Sequence, residues 1–143
     1  MPEECQQYTY AELEVGQKAE FEFMMTDEVI ADFAKLSGDK SPLHTDAAYS
    51  TTTAFGRPVG HGMIAGMLFS RLVGMELPGK YAVYLSQTLK FHQPMFSGDR
   101  LIIKGEIIKK TDAFQMITLA TGVYHGVTGI LFVDGDALVR VLQ

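Results

Sequence analysis

Asp39 and His44 are the residues of this chain best suited to moving protons. They lie five positions apart in Ser37-Gly38-Asp39-Lys40-Ser41-Pro42-Leu43-His44, a spacing that suits a loop rather than one helical face. Gly38 permits a positive φ, while Pro42 fixes its own φ and pushes Ser41 towards extended backbone. A loop stiffened at two points can hold a carboxylate and an imidazole in fixed relation, which acid–base catalysis requires. Downstream, Gly60-His61-Gly62-Met63 opens an apolar segment. Free N–H groups at a helix start there, at the positive end of its dipole, suit an oxygen that gains negative charge.

The elements around these residues follow from periodicity. Residues 1–17 are polar and read as an irregular surface arm. From Ala19 to Met25 apolar residues alternate with polar ones, as in a half-buried strand. Thr26 is an N-cap, Asp27 and Glu28 favour the first turn, and a helix is predicted from Asp27 to about Leu36, stopped by Gly38. Asp46 caps a short helix over Ala47 to Thr51, and 51–58 is loop. A long apolar helix is predicted from Gly62 to Leu77, ended by Pro78-Gly79. Its Gly62, Gly66 and Gly74 are costly in a helix and point to close approach of sheet backbone or ligand.

The remainder is strand-rich. Strands are predicted over Tyr81 to Phe91, Leu101 to Ile108, Phe114 to Tyr124 and Ile130 to Val141. Lys109 to Asp112 and Gly126 to Gly129 supply turns, and Gly135 suggests a bulge. Consecutive strands on short turns imply an antiparallel sheet. One apolar helix of about 24 Å can be enclosed by one curved sheet. The fold class is therefore α+β, a single hot-dog domain over residues 1–143. Its edge strands are protected if two copies pair them across a two-fold axis, so a homodimer or higher homo-oligomer is expected.

Composition narrows the function. The 143 residues carry a net charge of −5 and no basic cluster beyond Lys109-Lys110, which argues against nucleic acid. Cys5 is the only cysteine, so no intrachain disulfide forms and a reducing, cytoplasmic setting fits. The polar first residues do not read as a secretory signal. The apolar run from Met63 to Leu77 is too short for a membrane span and is broken by Arg71 and Glu76.

Other motifs are weaker. Gly60-x-Gly62-x-x-Ala65 fits a loose dinucleotide fingerprint, but no strand leads into it and no βαβ unit surrounds it. Ser37 lacks the Gly-x-Ser-x-Gly elbow of a serine hydrolase. No His, Cys or carboxylate cluster has metal-ligand spacing, so no metal is expected. His92 and His125 read as isolated surface or strand residues. His61 has two readings, a catalytic one and the better-supported one of a helix-entry histidine that packs or hydrogen-bonds locally.

The loop Ser37-Gly38-Asp39-x-Ser41-Pro42-Leu43-His44 resembles the Ser-Gly-Asp-x-Asn-Pro-Leu/Ile-His signature of the MaoC-like acyl dehydratases and (R)-specific enoyl-CoA hydratases. Thr52-Thr53-Ala54-Phe55, Arg57-Pro58, His61-Gly62-Met63, Leu77-Pro78-Gly79, Phe91, Pro94 and Gly98-Asp99 follow in the matching order. The resemblance covers roughly residues 18 to 141. Ser41 departs from the commoner Asn; it reaches less far and offers one side-chain donor rather than two. Gly56 and Gly60 are smaller departures near the substrate entrance.

The resemblance implies Asp39 and His44 as catalytic pair and the Gly62 N–H as oxyanion donor. It places Ser41, His61, Ser70 and Val73 around the substrate, the last two along the acyl chain. Arg57 and Lys90 are candidates for coenzyme A phosphates, with solvated charge the equal alternative. The expected reaction is reversible addition of water to a trans-2-enoyl thioester, of coenzyme A or an acyl carrier protein, giving an (R)-3-hydroxyacyl thioester. Coenzyme A belongs to the substrate, and no separate cofactor is expected. Two alternatives stand beside it. A thioesterase on the same fold needs a helix carboxylate, and only Glu76, near the helix end, is available. A non-catalytic acyl-CoA binding module would not need the Asp39/His44 pair.

Overall fold

A computed structural model describes residues 4–143. Strand β1 (Lys18–Met24) leads into helix α1 (Asp27–Ser37), and two four-residue helices follow, α2 (Pro42–Thr45) and α3 (Ala47–Ser50). Helix α4 (Ile64–Arg71) continues as a π-helical stretch over Leu72–Glu76. Then come β2 (Ala82–Gln87), β3 (Lys90–Phe91), β4 (Arg100–Thr111), β5 (Met116–His125) and β6 (Leu131–Val141). All pairings are antiparallel, in the order β1-β4-β5-β6-β2, with β3 also on β6. The sheet folds over α4, giving the expected hot-dog arrangement. Ile64, Ala65, Leu68, Phe69 and Leu72 pack against Leu101, Ile103, Val123, Phe132 and Val133 in one core cluster.

Local chemistry explains the first half. The Thr26 hydroxyl accepts from the Val29 N–H at 3.1 Å and starts α1. Gly38, at φ 79°, ends it in left-handed backbone, and its N–H returns to the Ala34 carbonyl. The Asp46 carboxylate accepts from the Tyr49 N–H and caps α3. The single turn α2 went unread in the sequence because four residues are too few to show a period; Pro42 at its start supplies a helical φ.

Several expectations need correction. The first seventeen residues are not a free arm, although residues 1–3 lie outside the described part. Tyr10 and Leu13 are buried in a second core cluster with Val73, Leu77 and Ile107. The Gln6 and Tyr8 N–H groups donate to the Met75 and Pro78 carbonyls, and Lys110 Nζ donates to the Tyr10 and Leu13 carbonyls. β4 runs through Lys109 and Lys110, and the turn falls later, over Asp112–Phe114 and Gln115. Gly135 is no bulge, since it pairs in register with Thr121 while the slip lies at Val123/Tyr124. Its role is close approach: a Cβ there would sit 1.8 Å from the Thr88 carbonyl oxygen. On the long helix, Gly62 serves close approach, but an added Cβ would make ordinary contact at Gly66 and meet open space at Gly74.

Candidate active site

The chain between α1 and α4 folds back so that two remote segments meet. The Val59 N–H donates to the Leu43 carbonyl, and the Gly60 N–H to the Met95 carbonyl at 2.8 Å. Residues 59–62 thus form a spine between the Asp39/His44 loop and the strand-side segment 91–95. Along this spine lies a cleft of about 530 Å³, lined by Asp39, His44, His61 and Gly62 and by the apolar Phe55, Phe91, Pro94, Met95 and Val133.

The loop itself is held by local bonds. Ser37 Oγ donates to the Phe33 carbonyl at 2.6 Å and accepts from the Asp39 N–H. The Ser41 N–H donates to Asp39 Oδ1 at 3.2 Å. At this position the backbone, not the side chain, supports the carboxylate. The Thr45 hydroxyl bonds the Lys40 and Ser41 carbonyls and closes the turn beneath His44.

Hydrogen bonds also settle the histidine tautomers. His44 Nδ1 lies 2.6 Å from the Val59 carbonyl oxygen. A carbonyl only accepts, so Nδ1 carries the hydrogen and neutral His44 keeps a lone pair on Nε2. His61 Nε2 lies 2.9 Å from the Asp39 carbonyl oxygen and donates there, leaving its Nδ1 bare. The two rings stack, centroids 4.0 Å apart and planes 27° from parallel, with Phe33 on His61 at 4.7 Å.

A ligand atom of Asp39, one of His44 and one of His61 lie within 4.8 Å of one another, a grouping invisible in the sequence spacing. One metal would require in-plane lone pairs converging at about 2.0–2.1 Å. Stacked rings send those lone pairs side by side, so this arrangement does not fit a metal. It does suit a water, which can touch carboxylate and imidazole together at about 2.8 Å each.

Gly62 lies at the start of the helical turn, and its N–H meets no acceptor among the described residues. A Cβ on Gly62 would fall 2.8 Å from two carbons of the Phe91 ring. Glycine is required there for contact rather than for φ.

The other expected residues are dispersed. Ser70 is exposed and Val73 is buried in the second core cluster; neither lines the cleft. The Arg57 guanidinium lies over the Phe96 ring at 3.9 Å. Lys90 borders a separate hollow of about 1030 Å³ on the solvent face of the sheet, among Lys18, Glu20, Lys104 and Glu106. That hollow is larger than the cleft but holds neither Asp39 nor any histidine. His92, expected to be isolated, lines the cleft and bonds Asp134 Oδ1 at 2.7 Å. His125 Nδ1 accepts from the Val127 and Thr128 N–H groups and serves its hairpin.

The family model described as MaoC like domain matches residues 10–128. The chain belongs to this MaoC-like family. It is 43% identical over 129 residues to the (R)-specific enoyl-CoA hydratase of Aeromonas caviae, covering 90% of this chain and 96% of that protein. It is 33% identical to the 3-hydroxybutyryl-CoA dehydratase of Methylorubrum extorquens, covering 92% and 83%. Among solved structures, the unliganded R-hydratase PhaJ1 of Pseudomonas aeruginosa superposes with a TM-score of 0.91 at 40% identity, covering 97% of this MaoC-like chain and 88% of that one.

Proposed function

We propose that this MaoC-like protein is an (R)-specific enoyl-CoA hydratase, a hydro-lyase adding water reversibly to trans-2-enoyl thioesters. The observation that carries the reading is the pairing of Asp39 with a His44 whose free nitrogen is Nε2, beside an unengaged Gly62 N–H.

The chemistry follows from that arrangement. A water held between Asp39 and His44 attacks C3 of the enoyl group and gives its proton to the pair. Electrons move from the C2–C3 double bond towards the thioester oxygen. The Gly62 N–H, at the helix start, stabilises the negative charge that gathers there. The pair returns one proton to C2 from the same face, so one water is added across C2 and C3. Asp39 and His44 act as one coupled unit. The thioester itself acidifies C2, so the reaction needs no metal and no separate cofactor.

The acyl chain is proposed to run along α4 towards Ser70 and Val73 on the family resemblance alone, since both residues lie outside the cleft lining. Val73→Phe is then expected to shift preference to shorter chains. A thioesterase would need a helix carboxylate at the cleft, and Glu76 does not line it. The proposed assembly is a homodimer, and a reducing cytoplasm suits a chain with one cysteine. No helix among the described residues is long and apolar enough to cross a membrane.

The test is purified protein with a panel of trans-2-enoyl-CoA esters, following loss of the conjugated thioester absorbance and release of free thiol in parallel. Absorbance loss without thiol, with an (R)-3-hydroxyacyl product, is expected. Thiol release as the main reaction would replace this reading with a thioesterase.

A further inference from the structure

His61 is 2% exposed, and it joins the backbone of Asp39 to the ring of His44. Its Nε2–H holds the Asp39 carbonyl at 2.9 Å, and its ring face lies against His44. The Phe33 ring lies 4.7 Å from that of His61, tilted by 48°, so the buried ring is held by two aromatic neighbours. Its buried Nδ1 has no hydrogen-bond partner. A buried acceptor left bare costs stability. A residue there for packing alone would be better as phenylalanine, which fills similar space without a bare nitrogen. Beyond packing, the histidine supplies the Nε2–H that holds the Asp39 carbonyl, which phenylalanine lacks.

We propose that His61 is a positioning residue for hydration, fixing the gap that one water bridges between Asp39 and His44. One rigid ring ties the backbone of the first to the side chain of the second. Val59, two residues upstream, accepts the hydrogen of His44 Nδ1, so the same short spine also fixes the His44 tautomer. The stack has a further consequence during reaction. In the state of the coupled pair that places the proton on His44, the imidazolium lies against the ring face of His61. This inference rests on the hydratase reading.

The test uses the full chain with His61→Phe and His61→Asn. In both, kcat is expected to fall about ten- to a hundredfold, the scale of a small misplacement of reacting groups, with KM within about threefold. His61→Phe should melt close to the wild type, because it removes the bare nitrogen but also the bond to the Asp39 carbonyl. In a His44→Ala background, His61→Phe should cost less than about twofold more, since it acts through a group already removed. A kcat within about twofold of wild type in either variant overturns the proposal. So does an equal loss in the His44→Ala background, or a failure of both variants to fold, which would make His61 structural. NMR gives a readout independent of activity. The His44 ring protons, shielded by the stacked face, should move downfield in His61→Asn. Unchanged shifts overturn the proposal even if the wild type hydrates nothing, whereas an inactive wild type with moved shifts sinks only the hydratase reading.

Discussion

The Phe91 ring rests on Gly62, with two ring carbons 2.8 Å from where a Cβ at that glycine would lie. Half-exposed Phe91 and the unengaged Gly62 N–H thus form one wall of the cleft. Gly62→Ala must push the ring aside or shift the helix start. Its kcat is expected to fall at least about tenfold, and Phe91→Ala in the same chain should restore part of the loss by relieving the clash. Steady-state hydration by the two variants checks this. A fully active Gly62→Ala would remove Gly62 from the oxyanion role.

Asp39→Asn is nearly isosteric but cannot take a proton from water, and His44→Ala removes the second hold on it. Each should lose about 10²–10⁴-fold in hydration; Asp39→Asn should keep a native melting curve, while His44→Ala should melt somewhat lower for want of the bond to the Val59 carbonyl. The double variant should lose far less than the product of the two losses. Near-full activity in Asp39→Asn would sink the assignment of the pair.

The two edges of the sheet differ in charge. β1 presents Lys18, Glu20 and Glu22, whereas β2 carries no charged residue and exposes Val83 at 38% and Leu85 at 49%. Charge guards an edge against pairing, so the uncharged β2 edge is the one expected to meet a second copy. Light scattering at micromolar concentration should give twice the chain mass, and Leu85→Lys should give the monomer. A monomeric wild type with full activity would exclude the dimer.

Tyr10 donates to Asp112 Oδ1 at 2.6 Å, and burial, then that bond and charge, push its pKa up to about 12. Folding therefore favours the neutral phenol. Its contribution is complete below the ordinary tyrosine pKa near 10 and is lost as pH rises through about 12. Burial pushes Tyr84 up to about 12 as well. Denaturation midpoints should fall between pH 10 and 12, and Tyr10→Phe should flatten that fall. An unchanged alkaline slope in Tyr10→Phe would mean the arm is not held through this phenol.

The order of elements, the caps at Thr26 and Asp46 and the short segment that brings Asp39 and His44 to one cleft were legible along the chain. They rest on periodicity and on residues within a few positions of one another. The buried arm was not legible, because Tyr10 and Leu13 are fixed by Lys110 and the sheet about a hundred positions away. Gly135 looked like a bulge because a glycine in a strand has two uses, and only the arrival of the Thr88 carbonyl selects between them. His61 shows the same limit at the site. Its type and place at a helix entry are plain in the sequence, but its contact with His44 exists only once the spine crosses the Asp39/His44 loop. Local chemistry follows from neighbours in the chain. Contacts between remote segments form only when loops and sheet have closed, and these decide which atoms of the site are held and which are left free.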